Sequence, residues 1–82
     1  MVLNEFIAER LEEIRKEKKI GVYTLCKKAT ISYETYRSIR KNKNKDIYLR
    51  TLLIILRALD YPYDEFMREL MSRSDEIDID FK

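Results

Sequence analysis

The run LRTLLIILRAL, from Leu49 to Leu59, is apolar nearly all the way round, with Arg50, Thr51 and Arg57 as its only polar positions. Eleven residues with two arginines spaced by seven read as a helix rather than a buried strand. Such a helix lies at the centre of a core, or has a second face covered by something else. It is far too short to span a bilayer. The chain has 82 residues, enough for one domain that buries roughly 60–65% of its unfolded surface, so stability is modest and a partner subunit would help. Gly21 and Pro62 are the only residues of their kinds. That scarcity argues against the many turns of an all-β fold and for a helical one.

Four further helices can be placed around the apolar one. Asn4 is a good cap for a first helix, with Glu5 in its first turn and Ile7, Leu11 and Ile14 on one face. This helix should end near Lys18 or Lys19. Gly21 can cap a second helix over Val22 to Ala29, Thr30-Ile31 makes a turn, and Ser32 caps a third helix running to about Lys41. Asn42 suits a left-handed terminator, and 42–48 is a polar loop. Asp60 can end the fourth helix. Tyr61-Pro62 opens a fifth, with Pro62 in a first turn and Phe66 and Leu70 facing inward, Met67 to one side and Met71 beyond. The expected fold is all-α, a five-helix domain over 1–74 followed by a tail, 75–82, of different character.

Net charge is +2, but unevenly placed. Residues 1–26 carry five acids and five bases; 27–50 carry eight bases against two acids; 60–82 carry eight acids against three bases. The middle of the chain attracts a polyanion and the end repels one. The absence of histidine and the single cysteine, Cys26, rule out the usual Cys/His metal sites and histidine acid–base chemistry, and leave no internal disulfide. There is no glycine-rich phosphate loop and no candidate activated nucleophile. An enzyme is not expected, and no cofactor is implied. Cys26 falls in a small core slot, where a buried thiol is inert. A free thiol and the lack of a signal-peptide pattern fit the cytoplasm.

The stretch from Ile20 to Asn42 is where chemistry concentrates. Leu25, Ala29, Ile31, Tyr36 and Ile39 form its apolar seam. Tyr33, Glu34, Arg37 and Ser38 are left facing outward on the third helix, and Lys41, Asn42, Lys43, Asn44 and Lys45 follow directly. A short helix with exposed hydrogen-bonding side chains, flanked by cations, suits a DNA groove. Arg37 can pair bidentately with guanine, the commonest specific contact, or hold a phosphate, or lie solvated on the helix face. Tyr33 can cover a thymine methyl or pack on the turn. Glu34 can accept from a cytosine amino group, reject wrong bases, or favour the helix N-terminus. Ser38 is a weaker candidate of the same kind. The cluster 41–45 is suited to phosphates, which supply sequence-independent affinity. Ser32 and Tyr23 are further phosphate candidates.

The chain resembles the lambda-repressor-like (Cro/XRE) family of helix-turn-helix DNA-binding domains over about residues 6–67. The resemblance rests on IAERLEEIRKEKKI for helix one, Leu25-Cys26 in the second helix, Ile31-Ser32 at the turn, Tyr36 and Ile39 in the third, and LRTLLIILRALDYPYDEF for the last two. It implies five packed helices, helix three (32–41) in the major groove of double-stranded DNA, the N-terminus of helix two on the backbone, and a homodimer on a pseudo-palindromic site. There are departures. The family commonly begins helix two with a Ser or Thr cap followed by Gln, which touches a phosphate. Here stand Gly21 and Val22, so only a backbone N–H is left for that contact. Many members pair a helix-one arginine, matching Arg15, with a glutamate at the position of Arg40. Here both are arginines, so either Arg15 finds another acid or Arg40 turns toward DNA.

In the tail, Glu76, Asp78 and Asp80 alternate with Ile77, Ile79 and Phe81, the period of a half-buried strand. Three readings are open: a disordered acidic tail, an edge strand across a dimer axis or against a partner subunit, or a polyanion folded over the basic face. Two functional classes follow for the whole chain. One is a small sequence-specific transcriptional regulator, a repressor acting by occupying its operator. The other is a protein-interaction module, antitoxin-like or antirepressor-like, with a partner bound through residues 63–82.

Overall fold

A computed structural model describes residues 3–41, 46–73 and 75. It contains five helices: α1 (Leu3–Glu17), α2 (Val22–Ala29), α3 (Tyr33–Lys41), α4 (Leu49–Ala58) and α5 (Tyr63–Ser72). No strand occurs among the described residues. The all-α, five-helix expectation therefore holds, with α2 matching its expected bounds. The terminator at Asn42 and the strand pattern at 76–82 lie outside the described residues.

The core is assembled from one stripe of each helix. Leu11, Ile14, Leu25, Tyr36, Ile55, Leu56, Leu59 and Phe66 are essentially inaccessible. α4 stands at the centre through Leu52, Ile55 and Leu56, as its composition requires. The stripe on α1 is broader than its Ile7, Leu11 and Ile14 pattern indicates, because Phe6 and Ala8 are buried too. Cys26 is buried, and burial raises its thiol pKa, in line with an inert core thiol.

Asn4 is not a cap. α1 begins at Leu3, and the Asn4 amide donates to the Asp46 carboxylate at 3.1 Å, tying the start of α1 to the segment before α4. At the other end, the Lys18 ammonium donates to the Asp60 carbonyl at 3.0 Å. α1 and α4 thus point in the same direction. α5 returns against them, so that the Arg73 guanidinium lies 4.8 Å from the centre of the Phe6 ring.

Three helix ends share one device. Lys19, Thr30 and Asp60 have φ of 56°, 56° and 55°. In each case the next residue donates back five positions: Ile20 to Arg15, Ile31 to Cys26, Tyr61 to Leu56. This is the Schellman closure, with an apolar residue just after the left-handed one. It is normally built on glycine, and here no glycine serves. All three apolar residues pack against the core, which holds the unfavourable backbone in place. Pro62 sits at the N-cap of α5, one residue earlier than a first-turn position.

Candidate nucleic-acid interface

α3 is held by its cap and by one buried side chain. The Ser32 hydroxyl oxygen accepts from the Thr35 N–H at 3.0 Å, the expected capping bond. On the inner side Tyr36 is 1% exposed, and its hydroxyl donates to Glu12 at 2.6 Å. A buried phenol needs such a partner, since an unpaired hydroxyl is costly to desolvate.

Glu12 is the junction between α1 and α3. It accepts from the Arg15 guanidinium at 2.8 and 3.1 Å as well as from Tyr36, and Arg40 Nη1 lies 3.7 Å away. Arg15 also donates to the Ile20 carbonyl at 2.7 Å, locking the end of α1. Burial alone would push the Glu12 carboxyl up. Hydrogen bonds from Arg15 and Tyr36, with the charges of Arg15 and Arg40, hold it below its ordinary value. The two arginines therefore share one acid, supplied by α1 itself. Arg40 packs over the Tyr36 ring, 6.0 Å to its centre, and belongs to the bracing of α3 rather than to its open face.

The open face consists of Glu34, Arg37, Ser38 and Lys41, which line one shallow depression at helical spacing. Arg37 and Lys41 are exposed and make no ion pair or hydrogen bond among the described residues. Three of the four residues expected to face bases thus come together. The fourth, Tyr33, is half-buried because its ring stacks on Tyr23, with centres 5.0 Å apart and planes 18° from parallel. Tyr23 is 74% exposed, so the stacked pair forms a projecting corner where α2 meets α3. Sequence reasoning treated the two tyrosines separately; each stands in the first turn of its helix, which was the available signal. Glu12 carries no such local signal: in the sequence it is one of several charged residues on the polar side of the first helix.

Val22 spends its side chain on the core. Gly21 caps α2 in extended backbone with no side-chain bond, leaving the first N–H groups of α2 open. Ser32 is exposed, but its oxygen serves the α3 cap and lies 2.8 Å from the Thr35 hydroxyl. Asn42, Lys43, Asn44 and Lys45 lie outside the described residues. A second cleft, about 300 Å³, runs behind α3 between Ile7, Ile39, Ile47 and Tyr48, with Glu34, Ser38 and Asp46 among its polar lining.

The Cro/C1-type helix-turn-helix DNA-binding domain family is matched over residues 10–68. The chain belongs to that family. No individual curated protein and no solved structure matches it significantly. The matched span runs from the second half of α1 into α5 and contains all of α2, α3 and α4. Among the described residues, no helix is long and apolar enough to cross a membrane.

Proposed function

We propose that this Cro/C1-type domain is a small cytoplasmic repressor that binds a specific double-stranded site as a homodimer, with α3 in the major groove. The observation that carries the reading is the open face of α3: Arg37 and Lys41, without an ion pair among the described residues, beside Glu34 and Ser38, on a helix whose inner side is fixed by Tyr36. Arg37 reads guanine, Glu34 and Ser38 discriminate at neighbouring bases, and the Tyr23–Tyr33 corner rests on a thymine methyl with its hydroxyls toward phosphate. Lys41 and residues 42–45 hold phosphates. The N–H groups at Val22 and Tyr23 meet the backbone at the start of α2, where the helix dipole favours an anion. Two copies would place their α3 helices in half-sites about 34–36 Å apart.

Selection of binding sites from random duplexes, followed by titration at several salt concentrations, tests this. Arg37→Ala should weaken the selected site by about 1–3 kcal/mol and relax one position. Lys41→Ala should weaken all sequences alike and reduce the salt slope by about one. Equal affinity for every sequence would defeat the proposal. The second reading, a protein-interaction module, draws on Val22, which leaves α2 without a polar anchor. Arg37→Ala with undiminished cellular activity would favour it.

A further inference from the structure

We propose that the outer face of α4 is the docking site for the chain's own C-terminal segment, residues 76–82. The core claims one side of α4. On the other, Leu49 is 63% exposed and Tyr63 42%, and with Leu53 and Ile54 they line a groove of about 380 Å³. Leu49, Leu53 and Ile54 take no part in the central cluster. An apolar helix face of this kind needs a cover.

The rim of the groove states the chemistry of that cover. Arg50 and Arg57 border it; both are exposed and without an acid among the described residues. Segment 76–82, EIDIDFK, has the complementary pattern. In extended form it would present Ile77, Ile79 and Phe81 on one side and Glu76, Asp78 and Asp80 on the other. Those three apolar side chains span about 13 Å at about 3.3 Å per residue, against about 15 Å for a ten-residue helix. The long stems of Arg50 and Arg57 can lean across to the acids.

Chain geometry favours a contact within one molecule. The start of α1 marks one end of the bundle: Asn4 ties it to Asp46, three residues before α4, and Phe6 meets Arg73, at the end of α5. The chain therefore leaves α5 at the end where α4 and its groove begin. From Arg73 to Phe81 it can reach about 26 Å, longer than the groove. No second copy is needed. The inference is independent of what α3 reads.

The test is a nitroxide attached to the full chain carrying Lys82→Cys. Cys26 is 5% exposed, so the new thiol takes the label. The expected result is selective broadening of the amides of residues 49–57 and of Tyr63. It should vanish when Ile77→Ser, Ile79→Ser and Phe81→Ser are combined, and weaken severalfold with Arg50→Glu and Arg57→Glu. Arg50 and Arg57 are exposed, and amide shift dispersion verifies that every variant folds. Isotope-labelled chain mixed with spin-labelled, isotope-free chain should show no broadening. Broadening in that mixture would place the segment on a second copy, and uniform or absent broadening in the single chain would remove it from α4; either result overturns the proposal.

Discussion

Arg10 and Glu12 stand two residues apart on α1 and face nearly opposite ways. Arg10 reaches α5: its guanidinium donates to both Glu69 oxygens at 3.0 and 3.1 Å and to the Tyr61 hydroxyl at 3.2 Å, while Tyr61 itself donates to Glu69 at 2.6 and 2.8 Å. Glu12 reaches α3, through Tyr36 and Arg40. Each cluster is a carboxylate, a tyrosine and arginine, so the chemistry is nearly the same. Two differences set their roles. Tyr36 is buried whereas Tyr61 is half-buried, so the Glu12 cluster has more to lose when its acid is removed. And only the Glu12 cluster holds the helix that carries the open face. One brace sustains the fold; the other also aims α3.

The sharpest way to break this comparison is to remove each acid in turn. Glu12→Ala strands the buried Tyr36 hydroxyl and leaves Arg15 and Arg40 without their acid, and should cost about 2–3 kcal/mol. Glu69→Ala leaves partly wet partners and should cost about 1–2 kcal/mol. Urea denaturation measures both. At temperatures where both variants are folded, Glu12→Ala should lose about tenfold in affinity for the selected DNA site, equivalent to about 1.4 kcal/mol, while Glu69→Ala should match the parent. Equal losses of DNA affinity would abolish the division of labour. Tyr36→Phe keeps the ring and the core and removes one hydrogen bond to Glu12, and should cost about 1–1.5 kcal/mol, no more than Glu69→Ala.

The same clusters show what the sequence could and could not convey. Helix positions were legible because apolar spacing and capping chemistry are local: Ser32 caps α3 as its hydroxyl suggested, and the α4 composition forced that helix to the centre. The open face of α3 was legible too, since Tyr36 and Ile39 fix which side is inward and Glu34, Arg37 and Ser38 then have only the other. Pairing across helices was not. Which acid would serve Arg15 depends on how α1 and α3 cross, and Glu12 has the same local sequence context as Glu9 or Glu13, which remain exposed. Likewise Tyr23 and Tyr33 meet only because the turn at Thr30 folds α2 back on α3. Phe6 joins the core because α5 returns past it.

Acid should act on both braces in the same direction. Burial works against ionisation of Glu12 and of Glu69, but their arginine and tyrosine partners outweigh it, and both carboxyls sit below the ordinary value of 4.5. A carboxyl lowered in the folded state contributes stability that is fully present above its unfolded pKa and is lost as pH falls through the folded one. The urea midpoint should therefore hold from neutrality to about pH 5.5 and decline below about pH 4.5. Glu12→Gln and Glu69→Gln should each flatten part of that decline. A decline left unchanged in both variants would show that other groups govern acid unfolding, and would remove the ion pairs from the comparison.

The smallest expected effects lie at the three left-handed helix ends, which fall in different regions. Thr30 has φ 56° and ψ 44° and closes α2 against α3 in the half with the open face; Lys19 closes α1; Asp60 leads into Tyr61 in the half braced by Glu69. A side chain in this conformation costs about 1–2 kcal/mol, most for a β-branched residue and least for aspartate. Glycine removes that cost but gives back about 0.5–1 kcal/mol in unfolded-chain entropy. Thr30→Gly should therefore stabilise by about 0.5–1 kcal/mol, Lys19→Gly by less, and Asp60→Gly by nearly nothing. DNA affinity should not move with Thr30→Gly, because the closure bonds to Cys26 and Lys27 are backbone bonds and survive the change. Destabilisation by Thr30→Gly together with weaker DNA binding would mean that the threonine side chain itself sets the angle between α2 and α3. The orientation of the open face would then be fixed at the turn as much as at Glu12.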